Sequence, residues 1–188
     1  MLKKDLRVLF KNKREALTPT EITQYSIAVQ QQLFILLDQL EFSNINCFLS
    51  SSVKKEIQTD GIIQELLNSN KKLTVPVSNY TDFSITPSLF TNESGLKLDQ
   101  FHIPTPIDLA PVSAAEIDVI ICPLLCFDER GYRTGYGKGM YDRFIAQCRE
   151  NVITIGLSLF DPVEQIQDLD DFDRRLDYAV GVDQIWKF

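Results

Sequence analysis

At 188 residues, 44% of them hydrophobic and 24% charged, the chain is long enough for one well-formed core and too apolar for a disordered protein. Its net charge of −7 hides a polarity, because residues 1–15 hold six basic and two acidic side chains and leave a charge of −11 on the remainder. That balance excludes broad electrostatic binding to nucleic acid while leaving a basic first segment able to meet one anion. The longest nearly apolar run, Val119 to Phe127, is interrupted by Pro123 and is far too short to cross a bilayer. The first residues carry no apolar leader core, so we expect a cytoplasmic protein.

In chain order, Leu2, Leu6, Leu9, Phe10, Lys13 and Leu17 follow helical spacing and predict a first helix with an apolar stripe beside a basic face. Thr18-Pro19-Thr20-Glu21 then offers a cap, a proline in the first turn and a glutamate three residues after the cap, which predicts a second helix running to about Leu40. NINCFLS at 44–50 reads as a buried strand, IIQELLNSN after Asp60 as a helix, and LTVPVS at 73–78 as a strand. Residues 79–115, with four of the eight prolines, predict short strands and loops. IDVIICP at 117–123, VITIGLS at 152–158 and YAVGV at 178–182 complete the strands, the last of these as the final one. Helices between parallel strands explain this order, within one domain spanning 1–188.

Cys47, Cys122, Cys126 and Cys148 have apolar neighbours and read as reduced structural thiols. A zinc site is excluded because Cys122 and Cys126 have no matching second pair and the chain has a single histidine. That histidine, His102, stands beside Phe101 and Ile103, a setting that suits packing better than general-base catalysis.

The chemistry concentrates in FDERGYRTGYGKGMYDRF, residues 127–144, where four of the chain's eight glycines fall within nine residues. Gly131, Gly135, Gly137 and Gly139 follow an apolar strand and precede a helical MYDRFIAQCRE, so the exposed amides of that turn can face phosphate. A Walker loop is excluded because Lys138 is followed by Gly139, and the dinucleotide fingerprint is excluded by its missing final spacing. Arg133, Lys138 and Asp142 supply a branched donor, a point charge and a magnesium-ready carboxylate. Taken singly, each is equally a surface charge or a helix cap.

DVIICPLLCFDERGYRTGYGKGMYDRF as a whole resembles the 5-formyltetrahydrofolate cyclo-ligase family, in its strand, its Phe-Asp-x-x-Gly-x-Arg turn, its glycine-rich loop and its Tyr-Asp-Arg continuation. The resemblance extends to Lys3 and Arg7, to Glu56 and Thr59 in KKEIQT, to FHIPTP and to DFDRRLD. It implies a three-layer α/β/α domain with a mainly parallel sheet, similar to sugar-phosphate isomerases and coenzyme A transferases. It implies ATP- and magnesium-dependent cyclisation of 5-formyltetrahydrofolate, with no membrane or nucleic-acid partner and action as a monomer or homodimer. Lys3, Arg7, Arg133, Gly135, Gly137, Lys138 and Gly139 are then expected on ATP, with Arg133 and Lys138 stabilising the transferred phosphate. Glu56, Tyr136, Met140 and Tyr141 are expected on folate, and Asp142 and Asp173 on magnesium. Thr134, Met140 and Thr105 depart from the common family pattern. A catalytically degenerate binding paralogue and a sugar-phosphate isomerase remain the competing functions.

Overall fold

A computed structural model describes residues 1–188. Its seven-stranded sheet comprises β1 (Asn44–Cys47), β2 (Lys72–Asn79), β3 (Ser84–Leu89), β6 (Val119–Pro123), β9 (Ile153–Leu157), β10 (Tyr178–Val180) and β11 (Ile185–Lys187), in the order β11-β10-β9-β6-β1-β2-β3. The five inner strands are parallel, and the edges β3 and β11 run antiparallel to their neighbours. Two small ribbons, β4 (Leu96–Leu98) with β5 (Pro104–Pro106) and β7 (Cys126–Phe127) with β8 (Arg133–Thr134), stand outside it.

The unbroken apolar run of β6 is explained by burial on both faces. Val119 and Ile121 join the hydrophobic cluster formed with α2 (Pro19–Leu37) and α3 (Asp60–Asn68), whereas Ile120 and Cys122 point into a second cluster with α4 (Met140–Ile145). A third cluster seats Leu6 and Phe10 of α1 (Lys3–Glu15) on Leu125, Cys126 and Ile166, so α1 lies over the β7–β8 ribbon. The family-implied layering is therefore uneven, with two substantial helices on one face and one six-residue helix plus irregular chain on the other. No helix is long and apolar enough to cross a membrane.

Thr18 and Glu21 form the reciprocal capping pair: Glu21 N donates to Thr18 Oγ1 at 3.2 Å and Thr18 N to Glu21 Oε2 at 2.8 Å. Several boundaries differ from the sequence expectation. In α1 the buried face is Lys3, Leu6, Phe10 and Arg14, while Leu2 and Leu9 are 47% and 37% exposed; cations that find buried partners displaced leucines from the inward face. α2 stops at Leu37, three residues short of Leu40, because Gln39 N and Leu40 N turn back to the carbonyls three residues earlier. The same tightening at Gln147 and Cys148 ends α4 after six residues.

YAVGV is not the last strand, since Ile185–Lys187 returns as β11 and pairs with β10. Nor does a helix join every parallel pair. The crossover from β9 to β10, residues 158–177, and that from β2 to β6 contain no α-helix. All four cysteines are unpaired, three of them buried. Burial pushes the Cys122 thiol up to about 12 and the Cys126 and Cys148 thiols up to about 11.

Candidate active site

The parallel strands end at one rim of the sheet, and the segments leaving β1 and β6 there carry the polar side chains. After β6 the chain forms the β7–β8 ribbon, whose turn is built on the fully buried Asp128. Its Oδ1 accepts from Arg130 N and Tyr132 N, both at 3.0 Å. Its Oδ2 accepts from Arg130 Nη2 at 2.8 Å, Arg130 Nε at 3.1 Å and Ile166 N at 3.0 Å. Gly131 closes the turn at φ +87°, where an added Cβ would lie 2.6 Å from the Phe188 ring. The Asp-x-x-Gly-x-Arg pattern thus has a local cause: it fixes where Arg133 leaves the ribbon.

The glycine loop that follows is held very differently. None of the backbone N–H groups from Gly135 to Asp142 has an acceptor within the chain. Arg7 of α1 lies over the loop, with Nε donating to Gly135 O at 3.1 Å. Gly137, at φ +91°, lets the Arg7 guanidinium approach, since a Cβ there would stand 3.1 Å from it. Around Gly135, by contrast, no atom lies within 4 Å of where a Cβ would be, so the chain itself leaves that space open. Lys138 projects its exposed ammonium 5.1 Å above the Phe83 ring of the β2–β3 turn. Its carbonyl accepts from Arg143 Nη2 at 2.6 Å.

Beside the loop runs a chain of alternating charges. Arg133, 5% exposed, donates from Nη2 to Asp142 Oδ1 at 2.7 Å and from Nη1 to Arg174 O at 2.7 Å. Arg174 N also donates to Asp142 Oδ1, at 3.1 Å. One residue earlier, Asp173 Oδ2 accepts from Lys3 Nζ and from Asp170 N, and Lys3 reaches Asp170 Oδ2 at 3.3 Å as well. Asp142 thus meets the backbone one residue after Asp173, and each carboxylate keeps one oxygen free of protein donors. No cluster of three His, Cys, Asp or Glu side chains surrounds a common point. Two carboxylates nonetheless suit magnesium, which keeps several waters and takes remaining ligands from phosphate.

On the far side of the loop lies Glu56, in the segment after β1. Thr59 shapes this segment by donating to Phe48 O at 2.9 Å and accepting from Ser50 N at 3.0 Å. Glu56 Oε2 accepts from Ser51 N at 2.8 Å, and Oε1 accepts from the Tyr136 hydroxyl at 2.5 Å. That hydroxyl in turn accepts from Arg14 Nη1 at 2.9 Å, and Arg14 Nη2 donates to Leu124 O at 2.7 Å. Burial, reinforced by the Glu56 carboxylate, pushes the Tyr136 hydroxyl far above its ordinary range. Burial does the same to the Tyr141 hydroxyl, which Glu56 also influences. The Tyr141 hydroxyl and Ser51 Oγ are buried without any partner. Unsatisfied buried polar groups are costly and rare, and Ser51, whose N–H donates to Glu56, carries one of them.

Most residues picked from the sequence gather at one rim, but Met140 and Tyr141 pack their side chains against the second hydrophobic cluster. His102 lies instead in the exposed β4–β5 turn, at φ +57°. Two clefts lie elsewhere, one of about 410 Å³ bounded by Phe10, Tyr25 and Phe160, the other of about 210 Å³ beside Pro76 and Thr105. Sequence reasoning missed Arg14 and Lys54, whose ammonium sits 4.5 Å over the Tyr136 ring. Arg14 had a signal: it lies two helical turns from Arg7, on the face of Lys3 and Arg7.

Strand-end loops bearing open amides, paired charges and partnerless hydroxyls define an α/β protein with a polar ligand site at the carboxyl rim of its sheet. The 5-formyltetrahydrofolate cyclo-ligase family profile matches residues 1–181, and the chain belongs to this family of enzymes. It is 28% identical over 162 residues to the 5-formyltetrahydrofolate cyclo-ligase of Haemophilus influenzae, covering 83% of this chain and 84% of the relative. It is 30% identical over 142 residues to that of Escherichia coli K12, covering 72% and 75%. The NMR structure of Aquifex aeolicus 5,10-methenyltetrahydrofolate synthetase superposes with a TM-score of 0.82 at 25% identity, over 100% of this chain and 93% of that one.

Proposed function

We propose that this protein catalyses the ATP- and magnesium-dependent conversion of 5-formyltetrahydrofolate to 5,10-methenyltetrahydrofolate, releasing ADP and phosphate. Family membership supports the reaction, and one observation supports its location: the unpaired amides of Gly135 to Asp142 adjoin Arg7 and carry Lys138, while Tyr136 of the same loop reaches Glu56. An anion and a polar heterocycle are thus received on adjoining walls.

The chemical difficulty is that the formyl oxygen of an amide is a poor leaving group. In the proposed route the formyl oxygen attacks the γ-phosphorus and ADP departs. The neighbouring amine nitrogen then attacks the activated carbon and loses its proton, and the ring nitrogen's electron pair expels phosphate to leave the conjugated five-membered ring. No protein nucleophile is required; holding the reactants together and matching the developing charge supply the acceleration. The amides around Gly135, Gly137 and Gly139 bind phosphate oxygens, Lys138 meets the transferred group, and Lys3 and Arg7 close over the nucleotide from α1. Arg133, whose two Nη groups already face Asp142 and Arg174 O, adds positive potential and holds Asp142 in place. Magnesium, held by the free oxygens of Asp142 and Asp173, would supply charge neutralisation. Glu56 and Tyr141 orient the pterin end of folate, flanked by Tyr136 and Met140.

The same proposal carries a relationship to the sugar-phosphate isomerase and coenzyme A transferase folds, residence in the cytoplasm, and action of one 1–188 domain as a monomer or homodimer. The test is ultraviolet absorbance of the methenyl product after mixing protein, 5-formyltetrahydrofolate, magnesium and ATP. A rise that requires ATP and nearly vanishes in a folded Lys138→Ala variant is expected. Folded wild-type protein that binds ligands but gives no rise would point instead to a binding paralogue.

A further inference from the structure

Tyr136 belongs by sequence to the glycine loop, yet its hydroxyl is spent on the opposite wall. Glu56 Oε2 accepts from Ser51 N, and Oε1 accepts from the Tyr136 hydroxyl at 2.5 Å, so the tyrosine lies on the carboxylate's second oxygen. A folate donor that approaches this oxygen competes with the tyrosine for a buried carboxylate that is only 8% exposed. Lys54 over the ring and Arg14 Nη1 on the hydroxyl hold Tyr136 in that pose. The loop it hangs from has no backbone N–H bond of its own between residues 135 and 142. A shift of the loop at Tyr136 therefore also shifts the contact on Glu56.

We propose that Tyr136 is a positioning residue that couples nucleotide and folate binding: in the free protein it holds Glu56, and phosphate gathering the loop amides withdraws it and frees the carboxylate for folate. Each ligand then strengthens the other by an equal factor, because binding linkage is reciprocal. A binding-competent state that is only fractionally populated weakens folate binding until nucleotide or mutation releases the latch. This inference rests on the proposed cyclo-ligase reading.

Calorimetry on the full chain tests it, with 5-formyltetrahydrofolate titrated in the presence and absence of ADP and magnesium. For the wild type, ADP should tighten folate binding by about tenfold, within the usual range of coupling between sites. Tyr136→Phe, which keeps the ring and removes the donor, should bind folate several-fold more tightly than wild type without nucleotide, and ADP should then add less than about twofold. Should Tyr136→Phe fail to fold, Tyr136→Met removes the same donor and is expected to behave alike. Amide hydrogen exchange gives an independent readout: folate alone should alter exchange of residues 135–142 in the wild type and much less in the variant. A variant that binds folate more weakly and keeps the full ADP effect overturns the latch and makes the hydroxyl a simple contact. Wild type that binds both ligands without coupling overturns the latch alone, whereas wild type that binds neither overturns the cyclo-ligase reading with it.

Discussion

Two consecutive stretches of backbone, residues 128–133 and 135–142, are built on opposite rules. In the first, a single buried carboxylate accepts five hydrogen bonds from three residues, and an aromatic ring closes over its glycine. In the second, no backbone N–H has an acceptor at all. The first spends its polar capacity on itself and becomes a fixed mount, while the second withholds it for something else. A glycine-rich motif is thus two devices in series, and only the second half keeps its amides free.

The sharpest way to break this contrast is at the mount. Asp128→Ala leaves two loop amides, Ile166 N and a guanidinium without their acceptor, and should cost about 3 kcal/mol or more, read as a large drop in the denaturation midpoint. Lys138→Ala, in the receiving half, should do the reverse: turnover falls by about 10²–10³-fold, the scale of losing one transition-state charge contact, while the melting temperature barely moves. Asp142→Asn keeps the shape of the Arg133 contact but weakens charge, so turnover should fall and its dependence on magnesium concentration should shift upward. Glu56→Gln should raise KM for 5-formyltetrahydrofolate by about tenfold and change KM for ATP less, if the two walls serve different ligands.

The mildest effect concerns the thiols. Burial raises Cys122 to about 12 and Cys126 and Cys148 to about 11, so all three stay protonated near neutrality and charge only as the pH climbs toward those values. Native protein should therefore react slowly with iodoacetamide at pH 7.5, and half-buried Cys148 should label first as pH rises.

Local chemistry was legible in the sequence and distant chemistry was not. Thr18 and Glu21 name each other across three residues, and the alternation in Val119–Cys122 follows from burial on two faces, so the second helix and the central strand could be read directly. The glycine loop, Glu56, Asp142 and Asp173 were picked out through the family pattern, and each has its polar contacts at the loops leaving the sheet. Arg14 was missed because its partner Tyr136 lies 122 positions away, and its helical spacing from Arg7 alone does not name that partner. The edge strands β3 and β11 and the helix-free crossover at 158–177 depend on pairings between segments, which periodicity alone does not encode. The inward face of α1 was misread for the same reason: Lys3 and Arg14 are buried by what they meet.

The start of α1 is fastened by chain from near the other terminus. Met1 N donates to Gln165 O, Lys3 N to Asp168 Oδ1, Gln167 N to Met1 O, and the Lys3 ammonium reaches Asp170 and Asp173. During synthesis, residues 3–15 leave the ribosome long before their anchors exist. This helix is therefore made early and secured late, and until residues 170 and 173 have emerged the Lys3 ammonium has none of its carboxylate partners.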